Sequence, residues 1–518
     1  MDGAGMVARR GILAGAATLA LLPRTAMAAS GDPVASGPGG RWQGTIEGGV
    51  RVFRGIRYGA DPSATRFQPP VAPTPVRDVQ QATAFGPSCP QRGGGGLTQR
   101  EDCLFLNVWT PGTERGAKRP VMVYFHGGAY AGGTVIEPLV FGDRLAAQGD
   151  VVVVTVNHRL NALGFLYLAR LDPRFADSGN AGQLDLILAL RWVRDNIAGF
   201  GGDPGRVMLF GQSGGGAKIA TLMAMPAARG LFHAAATMSG QQVTASGPLN
   251  ATKRAEAVLA RLKATPAEAA AMPVERLIDG LAAEDPILGG GVYMGPVLDM
   301  RSLERHPFWP DAHPLGRSIP LILGNTRDET RAFIARDGPV ARGVTWDDLA
   351  ARMAPQLRID AHPEWVVAQY RRRFPTMTPI DVLYAATTAG RSWRGQVIEA
   401  EARAAAGVPA WIYQLDYSSP IRPGGGAAHT DDIPLVFGTL DAAGSVSGTG
   451  AAARAVSARM MAAFVALARS GNPGAGWPKY TLPRRATMVF DATSRAVDDP
   501  RGWERELFAR FPYIQPGT

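Results

Sequence analysis

The chain has 518 residues, of which 46% are hydrophobic, enough to bury a large core, and its 64 glycines and 40 prolines stay below the share typical of disordered chains. Its formal charge of +10 comes from lysines and arginines scattered along the sequence. No long basic run, RNA-binding signature or zinc-finger spacing occurs, which argues against a nucleic-acid partner and for a basic surface that would favour anionic substrates or cell-surface polymers.

The first element is an address. Arg9-Arg10 precede an apolar run at residues 11–22, and Ala26-Met27-Ala28 supplies small residues at cleavage positions, so residues 1–28 are predicted to be a cleavable export signal. The paired arginines fit twin-arginine export, and a general secretory route fits nearly as well. The run is short for a membrane span, and no later stretch is uninterruptedly apolar over the ~18 residues a span needs. The expectation is an exported protein, periplasmic or secreted, with no stable membrane insertion.

Residues 29–518 read as one domain. Residues 40–70 alternate short β-prone runs with turns. Cys89 and Cys103 flank a flexible segment containing Gly93 to Gly96. In an exported chain with a single cysteine pair a disulfide is expected, contributing on the order of 3 kcal/mol if unstrained. Residues 105–109 are strand-like, and residues 120–125 and 151–156 are continuous apolar, β-prone runs suited to strands covered on both faces. Residues 184–197 have helical spacing and run into the stop signal Gly201-Gly202-Asp203-Pro204. A further strand, residues 206–210, leads into Gly211-Gln212-Ser213-Gly214-Gly215 and then into helix-forming residues 216–225. Residues 245–315 and 340–400 are helical and irregular, and read as cap insertions over the C-terminal edge of the sheet. Residues 319–324 and 410–417 are later buried-strand candidates. Alternating strands and helices predict an α/β fold with a mostly parallel sheet and right-handed crossovers. No internal repeat, coiled coil or long linker is present.

The G-x-S-x-G pentapeptide carries the chemistry. Between a strand and a helix it predicts a strained elbow that lifts the Ser213 hydroxyl above the sheet. A serine hydroxyl is a poor nucleophile until a base takes its proton and an acid orients the base. On such a scaffold these partners follow in the order serine, acid, histidine. Of His233, His306, His313, His362 and His429, only His429 follows a strong strand through a glycine-rich loop, residues 424–426. Asp328 and Glu329 both follow the strand at residues 321–323, and spacing does not choose between them. His126-Gly127-Gly128-Ala129-Tyr130 follows another strand. There the N–H groups of Gly127 and Gly128, with that of Gly214, predict a three-donor oxyanion hole. His126 reads as shaping this loop.

Taken with the following motifs, the chain resembles the type-B carboxylesterases, the α/β-hydrolase family that includes para-nitrobenzyl esterases and cholinesterases. The motifs are Phe53-Arg54-Gly55-Ile56-Arg57-Tyr58, Arg66-Phe67-Gln68-Pro69-Pro70, Glu101-Asp102-Cys103-Leu104-Phe105-Leu106-Asn107-Val108, Gly179-Asn180-Ala181-Gly182, Phe200-Gly201-Gly202-Asp203-Pro204 and Gly471-Asn472-Pro473. The likeness covers nearly all of residues 29–518. It implies an α/β-hydrolase fold with helical cap insertions and Glu329 as the acid. It also matches Cys89–Cys103 to the family's first disulfide, whose loop borders the active-site gorge. The chain departs from the common pattern at Gln212, where Glu is frequent, at Gly214, where Ala is frequent, and at His158, where Tyr is frequent. Gly214 keeps its N–H and adds backbone freedom, predicting a less rigid hole; His158 reads as structural.

The resemblance implies a serine carboxylesterase forming an acyl-enzyme on Ser213, with His429 as base, a small-molecule ester as partner and no metal or organic cofactor. An amidase, peptidase or lactonase on the same triad is the alternative within hydrolysis. A non-catalytic adhesion module, as in neuroligin-like proteins of this fold, is the alternative outside it, and the intact triad speaks against it. Trp309, Trp365 and Met294 in the cap segments read as packing. Aryl esters, phthalate-type diesters, polyester fragments and esterified natural products all fit, and the sequence carries no signal for an oligomeric state.

Overall fold

A run such as Val152–Val156, buried at every position, has no wet face, so it needs a layer on each side. The computed structural model, which describes residues 31–94 and 96–518, supplies both layers. The predicted export signal, residues 1–28, lies outside the described residues. Pro33–Thr518 forms one compact unit built on an 11-stranded sheet.

From one edge the strands run Arg495–Asp498, Ala486–Phe490, Ala410–Leu415, Leu321–Thr326, Ala234–Met238, Gly202–Gln212, Arg119–Phe125, Val152–Val156, Phe105–Thr110, Val50–Arg57 and Thr45–Glu47. The sheet is parallel from Ala486–Phe490 to Val152–Val156 and antiparallel at both margins. Three short segments near the N-terminus make a separate small sheet. Alternate residues of the central strand face opposite cores. Val121, Val123 and Phe125 join Leu186 and Leu190 of the helix Ala181–Asn196, whereas Met122 and Tyr124 join Met460 and Phe464 of Ala451–Ser470. Ala451–Ser470 is long and apolar enough to cross a membrane, but its apolar face packs on the sheet.

The strands read from sequence appear close to their expected places. Ala234–Met238 was not expected, because Ala-Ala-Ala-Thr-Met reads as helix; buried throughout and paired on both sides, it takes the extended form that its neighbours impose. The elbow strand also begins earlier than expected, at Gly202, within the segment read as a stop signal. Residues 245–315 hold the helices Pro248–Leu262, Pro266–Ala271 and Val274–Asp279. Residues 340–400 hold Leu349–Leu357, Pro363–Arg373, Pro379–Thr388 and most of Arg394–Ala405, and enclose a hydrophobic cluster of their own around Leu349, Met353, Tyr370 and Leu383.

The expected Cys89–Cys103 bridge is not made in this structure. Both residues are buried free thiols. They touch: a hydrogen bond with Cys89, together with burial, pushes the Cys103 thiol well above its ordinary range.

Candidate active site

Register brings the site together. Phe125 pairs with Gly211, Gln212 with Met238 and Met238 with Gly324, so the loops leaving these parallel strands emerge side by side at one end of the sheet. Two backbone bonds lock them: Ser213 N–H donates to Met238 O at 2.7 Å, and Ser239 N–H to Gly324 O at 2.7 Å.

Ser213 sits at φ 54°, ψ −123°, between the strand Gly202–Gln212 and the helix Gly214–Leu222. That positive φ is costly for a residue with a side chain and is the expected elbow strain. The turn closes because Gly215 has no Cβ, which would otherwise fall inside the Phe125 carbonyl oxygen. Ser213 opens onto a cavity of about 370 Å³, with His429, Gly128, Ala129 and Gly214 on its wall.

His429 is 8% exposed, and its Nδ1 lies 2.5 Å from Glu329 Oε2. Glu329 is fully buried. Its other oxygen accepts from Ser239 Oγ at 2.6 Å, Thr326 N–H at 2.8 Å and Asn325 Nδ2 at 2.9 Å. Burial alone would raise its pKa; the facing His429 and these donors overcome that and hold it below the ordinary carboxylate range. An ionised carboxylate here keeps the proton on Nδ1 and leaves Nε2 with a free lone pair, as a proton acceptor requires. Asp328 is engaged elsewhere, accepting from Ala427 N–H at 3.0 Å and pairing with Arg327 at 2.9 Å. His233, His306 and His313 are likewise spent on the backbone N–H groups of Val207, Ala245 and Leu315.

The Nε2 of His429 lies 3.2 Å from the side-chain nitrogen of Gln212, whose N–H can donate to it. Among the described residues, Ser213 Oγ makes no hydrogen bond. The serine–histidine contact is therefore open in this resting arrangement, and the Gln212 amide holds the imidazole instead.

The cavity wall differs by one residue from the expected donor set. Gly128, Ala129 and Gly214 line the cavity, whereas Gly127 packs against Gln212 and Ser213, and its carbonyl faces His126 Nδ1 at 2.8 Å. Ala129 has φ 54° and was missed because only glycines were expected to tolerate that conformation. Among the described residues no hydrogen bond engages the N–H of Gly128 or Ala129, and Gly214 opens a helix, where an N–H has no intrahelical acceptor.

Beneath this loop lies Lys218, fully buried on the elbow helix. Its Nζ donates to Ala129 O at 2.8 Å and His126 O at 3.3 Å. Burial lowers its pKa from 10.5 to about 7. His126, stacked on His158 at 4.8 Å, is pushed down to about 3 by burial and by this lysine. Both histidines are thus neutral parts of the floor. Sequence reasoning missed Lys218; a lysine five residues after the elbow serine in a helix of otherwise small and apolar residues was the available signal. Arg358 and Arg391 also line the cavity, within segments that carried no motif. Among the described residues no group of three or more His, Cys, Asp or Glu side chains could hold a metal ion.

Comparison with known proteins identifies the family and the fold. The sequence pattern of the carboxylesterase family matches residues 32–502. The para-nitrobenzyl esterase of Bacillus subtilis is 34% identical over 493 residues, covering 90% of this chain and 96% of that one. A Geobacillus stearothermophilus carboxylesterase crystallised at pH 6.2 superposes with a TM-score of 0.82 at 34% identity, over 92% of this chain and 99% of that one. A Clostridium hathewayi esterase described as hydrolysing aliphatic aromatic polyesters gives 0.75 at 31% identity, over 92% and 98%. On sequence and fold the chain belongs to the carboxylesterase family: it is a carboxylic ester hydrolase of the α/β-hydrolase fold.

Proposed function

We propose that ester cleavage runs through an acyl-enzyme on Ser213. His429 takes the serine proton as Oγ attacks the ester carbonyl, and Glu329 holds the imidazole in the required tautomer and stabilises its charged form. The tetrahedral oxyanion is bound by the N–H groups of Gly128, Ala129 and Gly214, with Gly127 forming the turn that aims them. Collapse returns the proton to the leaving alcohol, and water activated by His429 then releases the acid.

The observation that carries this reading is the 2.5 Å contact between His429 Nδ1 and an otherwise saturated, buried Glu329, beside a serine at φ 54°. Ser213→Ala is expected to abolish p-nitrophenyl butyrate turnover and fluorophosphonate labelling while leaving the melting temperature within a few degrees. Retained turnover would refute the assignment. Export of the protein to the periplasm or medium, with cleavage after Ala28, is part of the same proposal. It rests on the leader sequence, and N-terminal sequencing of the secreted protein tests it. In that oxidising setting we further propose that a disulfide-bearing oxidant of the compartment, itself reduced to a dithiol, takes the two electrons and two protons of the touching Cys89 and Cys103 thiols and leaves them as a disulfide, read by intact mass without reductant.

A further inference from the structure

The deeply buried arginines are held by carboxylates or, as with Arg403 on the Gly316 and Pro409 carbonyls, by the backbone. Arg159 meets Asp185 at 2.6 Å, Arg254 meets Asp285 at 2.7 Å, and Arg501 meets Glu504 at 2.7 Å. The half-buried Arg358 and Arg391 have no such partners. Both line the Ser213 cavity, and among the described residues neither guanidinium makes a hydrogen bond or ion pair. No aspartate or glutamate lines the cavity; Glu329, which already faces His429, is the acid whose charge reaches Arg391. The two arginines oppose each other: burial, then Arg358, lowers the Arg391 pKa to about 10.

Arg391 is also placed with some care. It sits at the centre of a π-helical turn, Ala389–Trp393, between the helices Pro379–Thr388 and Arg394–Ala405, and such turns displace a side chain from its ordinary helical direction. Its guanidinium stacks on Phe333 at 4.2 Å, and Phe333 packs on His429 at 4.8 Å. One aromatic ring therefore separates the cation from the catalytic imidazole. Planar guanidinium groups bind carboxylates through paired N–H donors, and more strongly in a cavity partly shielded from water.

We propose that this site takes esters that also carry a free carboxylate, the simplest being half-esters of dicarboxylic acids, with Arg358 and Arg391 binding the carboxylate while Ser213 attacks the ester. The proposal rests on the Ser213 reading and adds the substrate class. The covalent chemistry is unchanged: the acyl C–O bond breaks and water supplies the new one. Monobutyl adipate thus gives butanol, adipate dianion and one proton. A half-ester is what a first cleavage of a diester leaves, so a diester hydrolysis is the class of reaction that would supply it.

The test uses the purified full-length protein and two substrate pairs, each a carboxylate ester against its neutral primary-amide counterpart. One pair bears the carboxylate on the acyl side (monobutyl adipate), the other on the alcohol side (4-butyryloxybutanoate). The expected result is a kcat/KM ratio of ten or more in favour of the carboxylate for at least one pair. That ratio falls toward one in Arg391→Gln and in the Arg358→Gln, Arg391→Gln double variant. A wild-type ratio near or below one for both pairs, or a ratio that survives the double variant, overturns the proposal. Inhibition needs no variant: adipate should compete with p-nitrophenyl butyrate at least ten-fold better than adipamide, and equal potency overturns it as well. Wild-type turnover of p-nitrophenyl butyrate keeps the two readings apart. If it is present without a carboxylate preference, only this inference falls; if it is absent together with Ser213 labelling, both fall.

Discussion

Replacing Lys218 by methionine keeps the length of the side chain and removes the only donor that the Ala129 carbonyl has among the described residues. Two opposing effects follow, and they separate by assay. The first is on stability. A pKa lowered from 10.5 to about 7 means that the buried site disfavours the charged amine by about 5 kcal/mol. Below about pH 7 the lysine is protonated both folded and unfolded, and the full cost is borne. Between about pH 7 and 10.5 the unfolded chain still binds the proton and the folded one does not, so stability rises with pH. The wild type is therefore expected to gain on the order of 3 kcal/mol relative to Lys218→Met between pH 7 and about pH 9. Melting curves of the two proteins over that range give the difference directly, and the subtraction cancels every group they share.

The second effect is on catalysis. A neutral amine has two N–H groups, enough for both carbonyls that Lys218 reaches at 2.8 and 3.3 Å, so the tether survives deprotonation but not methionine. Two of the three oxyanion donors proposed here sit on the tethered loop. Each well-placed donor is worth about 3 kcal/mol in the transition state. Partial misplacement of the loop should then cost roughly 10- to 100-fold in kcat, with KM for p-nitrophenyl butyrate within a few-fold. A variant with wild-type kcat would refute the tether, and parallel melting curves across the pH range would refute the buried-amine reading.

Three further substitutions probe the same end of the sheet. Gly214→Ala places a methyl group against the Ala129 carbonyl oxygen and Cα, and should lower kcat about 100-fold by displacing the loop, read with a p-nitrophenyl ester. Ser239→Ala removes the 2.6 Å donor that helps hold the Glu329 pKa down; kcat should fall about 10-fold, with the acid limb of the pH profile moving up. Gln212→Glu sets a carboxylate where an amide nitrogen now lies 3.2 Å from His429 Nε2. A negative charge there favours the protonated imidazole, which cannot act as base, so the acid limb of kcat/KM should move up by about one pH unit; an unmoved limb would show that residue 212 does not face the imidazole in the working enzyme.

What could be read from the sequence follows what is local in the chain. The buried strands announce themselves because a continuous run such as Val152–Val156 has few other uses, and the elbow because G-x-S-x-G lies between a strand and a helix. His429 followed from chain order together with its place after a strong strand and a glycine-rich loop. Ala234–Met238 did not, since its extended form is imposed by two neighbours distant in sequence. Glu329 could not be separated from Asp328 by spacing. What separates them is the turn after Thr326, which aims one carboxylate at His429 and the other at Arg327 and Ala427. The cavity wall was the least legible part. Arg358 follows the helix Leu349–Leu357 and Arg391 belongs to a π-turn, and nothing in the surrounding letters marks either position as facing Ser213.

Gly214 shows how one residue's meaning changes once its neighbours are in place. Considered alone it offered only backbone freedom, and so a looser hole. In the fold its lack of a side chain lets the Ala129 carbonyl close against the elbow helix, where Lys218 receives it one turn further along. Glycine and lysine thus act on the same peptide group from opposite needs, one by absence and the other by a hydrogen bond. Their shared contact is the Ala129 carbonyl, and Ala129 itself, at φ 54°, stands on the cavity wall. Rigidity of this loop comes from a buried amine gripping the backbone, and glycine is the residue at position 214 that allows the grip.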